Sequence, residues 1–97
     1  MSEAWQTESA VIQDATGLHA RPAVKLTKLA KRFEARVEIR PESAETWINA
    51  KSPSAVMKLK APHLARLEIR ASGGDAPAAV AALRDLINRD FNDSAER

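Results

Sequence analysis

"LARLEIRAS" (residues 64–72) is the stretch on which the fold turns. Leu67, Ile69 and Ala71 fall on alternate positions, with charged residues interleaved among them. Successive side chains of a strand point to opposite faces, so this segment is a strand with one apolar face. "ARVEIR" (35–40) repeats the pattern, with Val37 and Ile39 inward and Arg36, Glu38 and Arg40 outward. A sheet built from such strands must bury that one face against another layer.

The neighbouring segments supply the layer. "ARPAVKLTKLAKRF" (20–33) is a helix in which Ala23, Leu26, Ala30 and Phe33 share one face, while Lys25, Lys28, Lys31 and Arg32 lie mostly elsewhere. Residues 76–91 form a second amphipathic helix: Val80, Leu83, Ile87 and Phe91 step by three and four, with Leu86 beside them and Asp75 expected as the cap. "KSPSAVMKLK" (51–60) is a short helix capped by Ser52, with Pro53 at its first position. A first strand is expected over about 6–13, and "TWINA" (46–50) pairs with 35–40 as a hairpin across the turn "PESAE". In that strand Ile48 and Ala50 share one face, Trp47 and Asn49 the other.

The order is β-α-β-β-α-β-α. Two layers satisfy it: an antiparallel sheet with all helices on one side. A ferredoxin-like split βαβ module with an extra helix has nearly the same order, and pattern alone leaves both open. The 97 residues suit one domain, 1–97, with an ordered core over about 6–91 and frayed ends at 1–5 and 93–97.

Composition narrows the function. There is no cysteine, which removes disulfide frameworks and thiol chemistry and fits a reducing compartment. Fifteen Lys and Arg face 13 Asp and Glu, interleaved along the strands rather than clustered, which argues against a nucleic-acid footprint. No apolar run approaches the ~20 residues of a membrane span, and the start "MSEAWQTESA" lacks the pattern of a signal peptide.

One stretch breaks the local rules. In "TGLHARPAV" (16–24) the helix cap falls on His19, a poor cap, and the first turn carries Arg21 where a carboxylate is preferred. Paired misfits of this kind mark functional sites. A helix N-terminus attracts anions through its free N–H groups, here offered by Ala20, Arg21 and Ala23. A guanidinium adds a planar fork suited to phosphate. Gly17 allows a tight turn. Histidine, with a reference pKa of about 6.5, offers a neutral imidazole near pH 7, so His19 is a candidate nucleophile toward phosphorus. No metal-ligand spacing is present: His63, the other histidine, stands apart in sequence. Equally, a histidine before a helix and an arginine in its first turn occur on ordinary surfaces, and the residues alone leave that reading open.

At these residues the chain resembles the HPr family, the histidine phosphocarriers of the bacterial phosphoenolpyruvate-dependent phosphotransferase system. "GLHARPA" matches the active-site signature, "NAKSPSAVMKL" the second signature, and "ASGGDAPAAVAALRDLI" the segment into the last helix, together covering about 8–91. The resemblance implies an open-faced β-sandwich, α+β in class: a four-stranded antiparallel sheet with three helices on one face. It implies that His19 accepts a phosphoryl group from enzyme I, itself charged by phosphoenolpyruvate, and donates it to an enzyme II A domain. The protein would be a carrier with a covalent phosphohistidine and no cofactor, cytoplasmic and monomeric, rather than a conventional enzyme. Arg21 would steady the phosphoryl group, Thr16 would orient the histidine, and Ala20, Met57 and Leu59 would dock partners, with Lys28 and Lys31 near the rim.

Ser52 matches the serine that HPr kinase phosphorylates in many bacteria, although capping alone accounts for a serine there. Pro53 and Ser54 replace two apolar residues usual in the docking patch, Lys60 replaces a common glycine, and the hairpin turn is two residues longer than usual. His63 has no counterpart in the family's mechanism and is expected to face solvent. A regulatory module of the same fold, acting through docking and Ser52 without phosphoryl flux, is the alternative; the intact "HARP" argues against it.

Overall fold

A computed structural model describes residues 4–91. Its elements are β1 (Gln6–Val11), α1 (Ala20–Ala30), β2 (Arg36–Pro41), β3 (Ile48–Asn49), α2 (Pro53–Lys58), β4 (Arg66–Ser72) and α3 (Ala76–Asn88). The strands form one sheet in the order β1-β4-β2-β3, and every neighbouring pair is antiparallel. The stretch 64–72 thus supplies a central strand: β4 lies between β1 and β2, with Ile69 opposite both Glu8 and Ile39. All three helices cover one face, and the fold is the open-faced sandwich.

The inward residues are those of the alternation. Val37, Ile39, Leu67, Ile69 and Ala71 are buried against Ala23, Leu26 and Ala30 of α1 and Ala79, Val80, Leu83 and Ile87 of α3. Each large aliphatic side chain fully removed from water contributes about 1.5–3 kcal/mol. Thr27 is the buried polar residue on the apolar stripe of α1, and its hydroxyl donates to Val24 O at 3.0 Å.

The outer face is polar but internally paired. The Arg70 guanidinium lies between two rings, 4.0 Å from the Trp5 centroid and 4.3 Å from that of Trp47. Arg40 stacks on Trp47 at 4.4 Å and meets Glu68 at 2.9 Å, while Arg70 also meets Glu38 at 2.6 Å. Such stacks are worth about 0.5–2 kcal/mol each, depending on desolvation. Trp5 is consequently half-buried rather than frayed. The rest of the expected frayed ends, 1–3 and 93–97, lies outside the described residues.

Several boundaries differ from expectation. The hairpin's second strand is Ile48–Asn49 instead of 46–50, because Pro41 has no N–H and ends β2. Trp47 then packs by stacking, not by strand pairing. Helix α1 ends at Ala30, where Arg32 N and Phe33 N turn to the i−3 carbonyls of Leu29 and Ala30. Helix α3 ends at Asn88, since Asp90 and Phe91 both have φ of 58°, yet Phe91 is still buried. Among the described residues no helix is long and apolar enough to cross a membrane.

The expected cap of α3 is corrected. Asp75 sits at the N-cap position, but its side chain makes no cap bond. Its two oxygens accept instead from Glu34 N and Ala35 N, each at 2.9 Å, tying the end of α1 and the start of β2 to α3. The Glu34 N–H bond is the main reason its carboxyl is held below the usual range; burial opposes, and the Ala35 bond adds. A depressed folded pKa means stability that is present above the unfolded value and lost as pH falls through the folded one. Asp75→Asn is therefore expected to unfold at a lower temperature than wild type at pH 7. The gap should narrow as pH drops below 3.8, the ordinary value for the group, when melting is followed by circular dichroism.

Candidate functional site

The loop from Ile12 to His19 is shaped by its own backbone. Gly17 N donates to Asp14 O at 2.9 Å, and His19 N to Gly17 O at 3.0 Å. The loop is also pinned to the segment after α2. Leu18 N donates to Ala61 O at 2.8 Å, Leu64 N to Ile12 O at 2.8 Å, and Ile12 N to Ala65 O at 2.9 Å. Leu18 is buried beneath the turn. Gly17 has φ of +84°, and a Cβ there would lie 2.5 Å from Ala61 O and 3.0 Å from Pro62 Cα. Glycine is thus required for both its conformation and its lack of a side chain.

This turn delivers His19 to the N-cap of α1 with an extended backbone, φ −99° and ψ −165°. Its side chain does not cap the helix. The ring, 40% exposed, points its Nε2 at Asp14 Oδ2, 3.4 Å away. Ala23 N is spent on His19 O at 2.9 Å, so that amide is not available to an anion, contrary to the sequence reading. The N–H groups of Ala20 and Arg21 have no acceptor among the described residues. The first turn holds no acidic residue. Arg21 is exposed and, among the described residues, makes no hydrogen bond or ion pair. Two open amides, a positive helix end and an unpaired guanidinium therefore lie within two residues of His19 in the chain.

Among the described residues, Thr16 has no hydrogen bond to the ring. Its backbone N–H donates to Asp14 Oδ1 at 2.7 Å, and Asp14 makes the contact with His19. Asp14 is the residue that the sequence reading missed. Its carboxyl is held below the usual range, chiefly by the Thr16 N–H, with burial opposing and His19 adding. His63 is also closer than its place in the sequence suggested. It is exposed, but its Nδ1 lies 3.2 Å from Asp14 O. Among the described residues no group of His, Cys, Asp or Glu could hold a metal ion.

The other site residues are spread over two helices. Ser52 caps α2, its Oγ accepting from Ala55 N at 3.3 Å. Met57 is exposed on α2, while Leu59 is half-buried and packs against the core, which leaves less of it for a partner. Ala20, Arg21, Lys28 and Arg32 open onto a groove of about 870 Å³ between α1 and α3, whose floor includes Val24 and Leu86. Lys31 is exposed at the C-cap of α1. Val24, 40% exposed, is an apolar surface residue that the stripe pattern did not flag.

Residues 6–89 match the family model described as the PTS HPr component phosphorylation site. The chain belongs to the HPr family. It is 38% identical over 72 residues to the phosphocarrier protein HPr of Haloferax volcanii, which spans 74% of this chain and 81% of that protein. It is 38% identical over 78 residues to the multiphosphoryl transfer protein of Vibrio cholerae, spanning 79% of this chain but 20% of that much longer protein. The crystal structure of HPr-C-His from Thermoanaerobacter tengcongensis superposes with a TM-score of 0.81 at 31% identity, covering 89% of this chain and 94% of that one.

Lys60 lies just after α2 with φ of 51°. A side chain in that conformation costs roughly 1–2 kcal/mol, and glycine is the usual residue there. Opposite outcomes are expected at Gly17 and Lys60. Gly17→Ala should lower the melting temperature through strain on the order of 1–3 kcal/mol. Lys60→Gly should raise it by up to about 1 kcal/mol equivalent, the gain being trimmed by a freer unfolded chain.

Proposed function

We propose that this HPr-family chain is a phosphocarrier that accepts a phosphoryl group on His19 from enzyme I and passes it to an enzyme II A domain. The observation that carries this reading is His19 itself: it occupies the N-cap of α1 without capping it. The open Ala20 and Arg21 amides and the unpaired Arg21 side chain follow within two residues of His19. A neutral ring nitrogen attacks phosphorus, the bond to the donor's group breaks, and its electron pair leaves with the donor. The three terminal oxygens then meet the two amides and the guanidinium, donors already in place before the charge arrives. Thr16 and Gly17 serve the turn, Thr16 through its amide and Gly17 through its backbone.

Ala20, Met57 and Val24 offer a shallow apolar contact surface on α1 and α2. Lys28 and Lys31 add positive charge without an acidic partner among the described residues. An acidic partner face suits such a surface, and its association should slow as salt rises. Ser52 is accounted for by its cap, and a phosphate there would add negative charge at the start of the helix that carries Met57, where it would disturb docking.

Incubation with enzyme I and phosphoenolpyruvate is expected to add one acid-labile phosphoryl group, read by mass spectrometry. His19→Ala should stay unmodified. Arg21→Ala should slow acceptance on the order of 10²-fold, as when one donor to a developing anion is removed. An unmodified wild-type chain, or a phosphorylated His19→Ala, would refute the reading.

A further inference from the structure

Asp14 is the hub of the site loop. Its Oδ1 accepts from Thr16 N at 2.7 Å, and its carbonyl accepts from Gly17 N at 2.9 Å. That same carbonyl has His63 Nδ1 at 3.2 Å. These contacts fix the carboxylate, and its second oxygen faces His19 Nε2 at 3.4 Å. An ionised carboxylate only accepts hydrogen bonds, so a neutral His19 facing it carries its proton on Nε2. The lone pair is then on Nδ1, the nitrogen turned away from Asp14. The charged group facing the ring is Asp14 in the loop; Arg21 follows two residues on in α1, and His63 of the segment after α2 contacts the Asp14 carbonyl.

We propose that Asp14 is a positioning residue: it holds the imidazole of His19 in the tautomer and orientation that present Nδ1 to the phosphoryl donor. The inference rests on the phosphocarrier reading for its consequence, though not for its geometry. As Nδ1 attacks phosphorus, the donor's bond to phosphorus breaks and its electron pair leaves with the donor. The His19 ring becomes cationic, with the proton still on Nε2. No proton needs to move, and the carboxylate faces the new positive charge. The 3.4 Å contact shortens at that moment, as such contacts do when the partner gains charge. Carboxylates hold imidazoles in this way in the serine-protease triad and in metal sites.

Positioning and bare charge predict opposite signs. Asp14 places a negative charge next to an incoming anion. If charge were its whole effect, Asp14→Ala would accept phosphoryl faster than wild type. Positioning predicts acceptance slower on the order of 10-fold, with no recovery in Asp14→Asn: its single amide oxygen is held by Thr16 N, so its NH2 group faces Nε2 and favours the proton on Nδ1. Nitrogen-15 spectra of the His19 ring, recorded on the unphosphorylated protein, should show a smaller share of the Nε2–H tautomer in Asp14→Ala and in Asp14→Asn than in wild type. Unchanged melting temperatures for Asp14→Asn keep the comparison free of folding effects. Equal or faster acceptance by Asp14→Ala, or an unchanged tautomer ratio, overturns the inference. If wild-type His19 takes no phosphoryl group, the phosphocarrier reading fails while the tautomer ratio still decides the role of Asp14.

Discussion

The functional geometry depends on the contact between two backbone segments, residues 17–18 and 61–62. Leu18 N bonds Ala61 O, and Gly17 lies so close to Ala61 and Pro62 that no side chain fits between them. With Leu18 buried below, this contact sets where the chain enters α1. It therefore sets which residue becomes the N-cap and where its side chain points. His19 could bend back to cap the helix only if the turn were different. Because the turn is held, the ring is turned to Asp14 and the amides of Ala20 and Arg21 stay open.

The cost of that arrangement is local. A cap bond is forgone, worth typically about 1 kcal/mol, and a cation sits at the positive end of a helix. The sheet and the two long helices, packed through a largely aliphatic core, tolerate it. Further tethers lie away from the site: Asp75 holds the α1–β2 connection, and Lys25 Nζ donates to Phe91 O at 2.9 Å across the helix layer. The site's own groups are left with unmet electrostatic demand, which an added phosphate would satisfy.

The fold was legible where side-chain period reports burial directly. β2 and β4 alternate without a break, and Leu67, Ile69 and Ala71 are all buried. The order of strands was not in the pattern; the choice of the open-faced sandwich over the ferredoxin-like module entered through the family resemblance carried by "GLHARPA". Patterns misled where a side chain bonds a backbone far along the chain. Asp75 has the chemistry of a cap but serves Glu34 and Ala35, 41 and 40 positions away. Thr27 lies on an apolar stripe because its hydroxyl is satisfied within its own helix. Within the site, His19 and Arg21 stood out by violating helix-end rules. Asp14 violates none, being an ordinary residue in a polar turn, and only the folded loop brings it to the ring. His63 is brought to the same loop by the antiparallel return of the chain into β4.

The central claim is that the open amides of Ala20 and Arg21 receive the phosphoryl group carried by His19. It is tested most directly by amide spectra of the isotope-labelled protein before and after charging by enzyme I and phosphoenolpyruvate. The Ala20 and Arg21 amides should show the largest downfield shifts, while Ala23, already bonded to His19 O, should move little. Largest shifts elsewhere, with Ala20 and Arg21 unmoved in a protein shown to carry the phosphate, would contradict the claim.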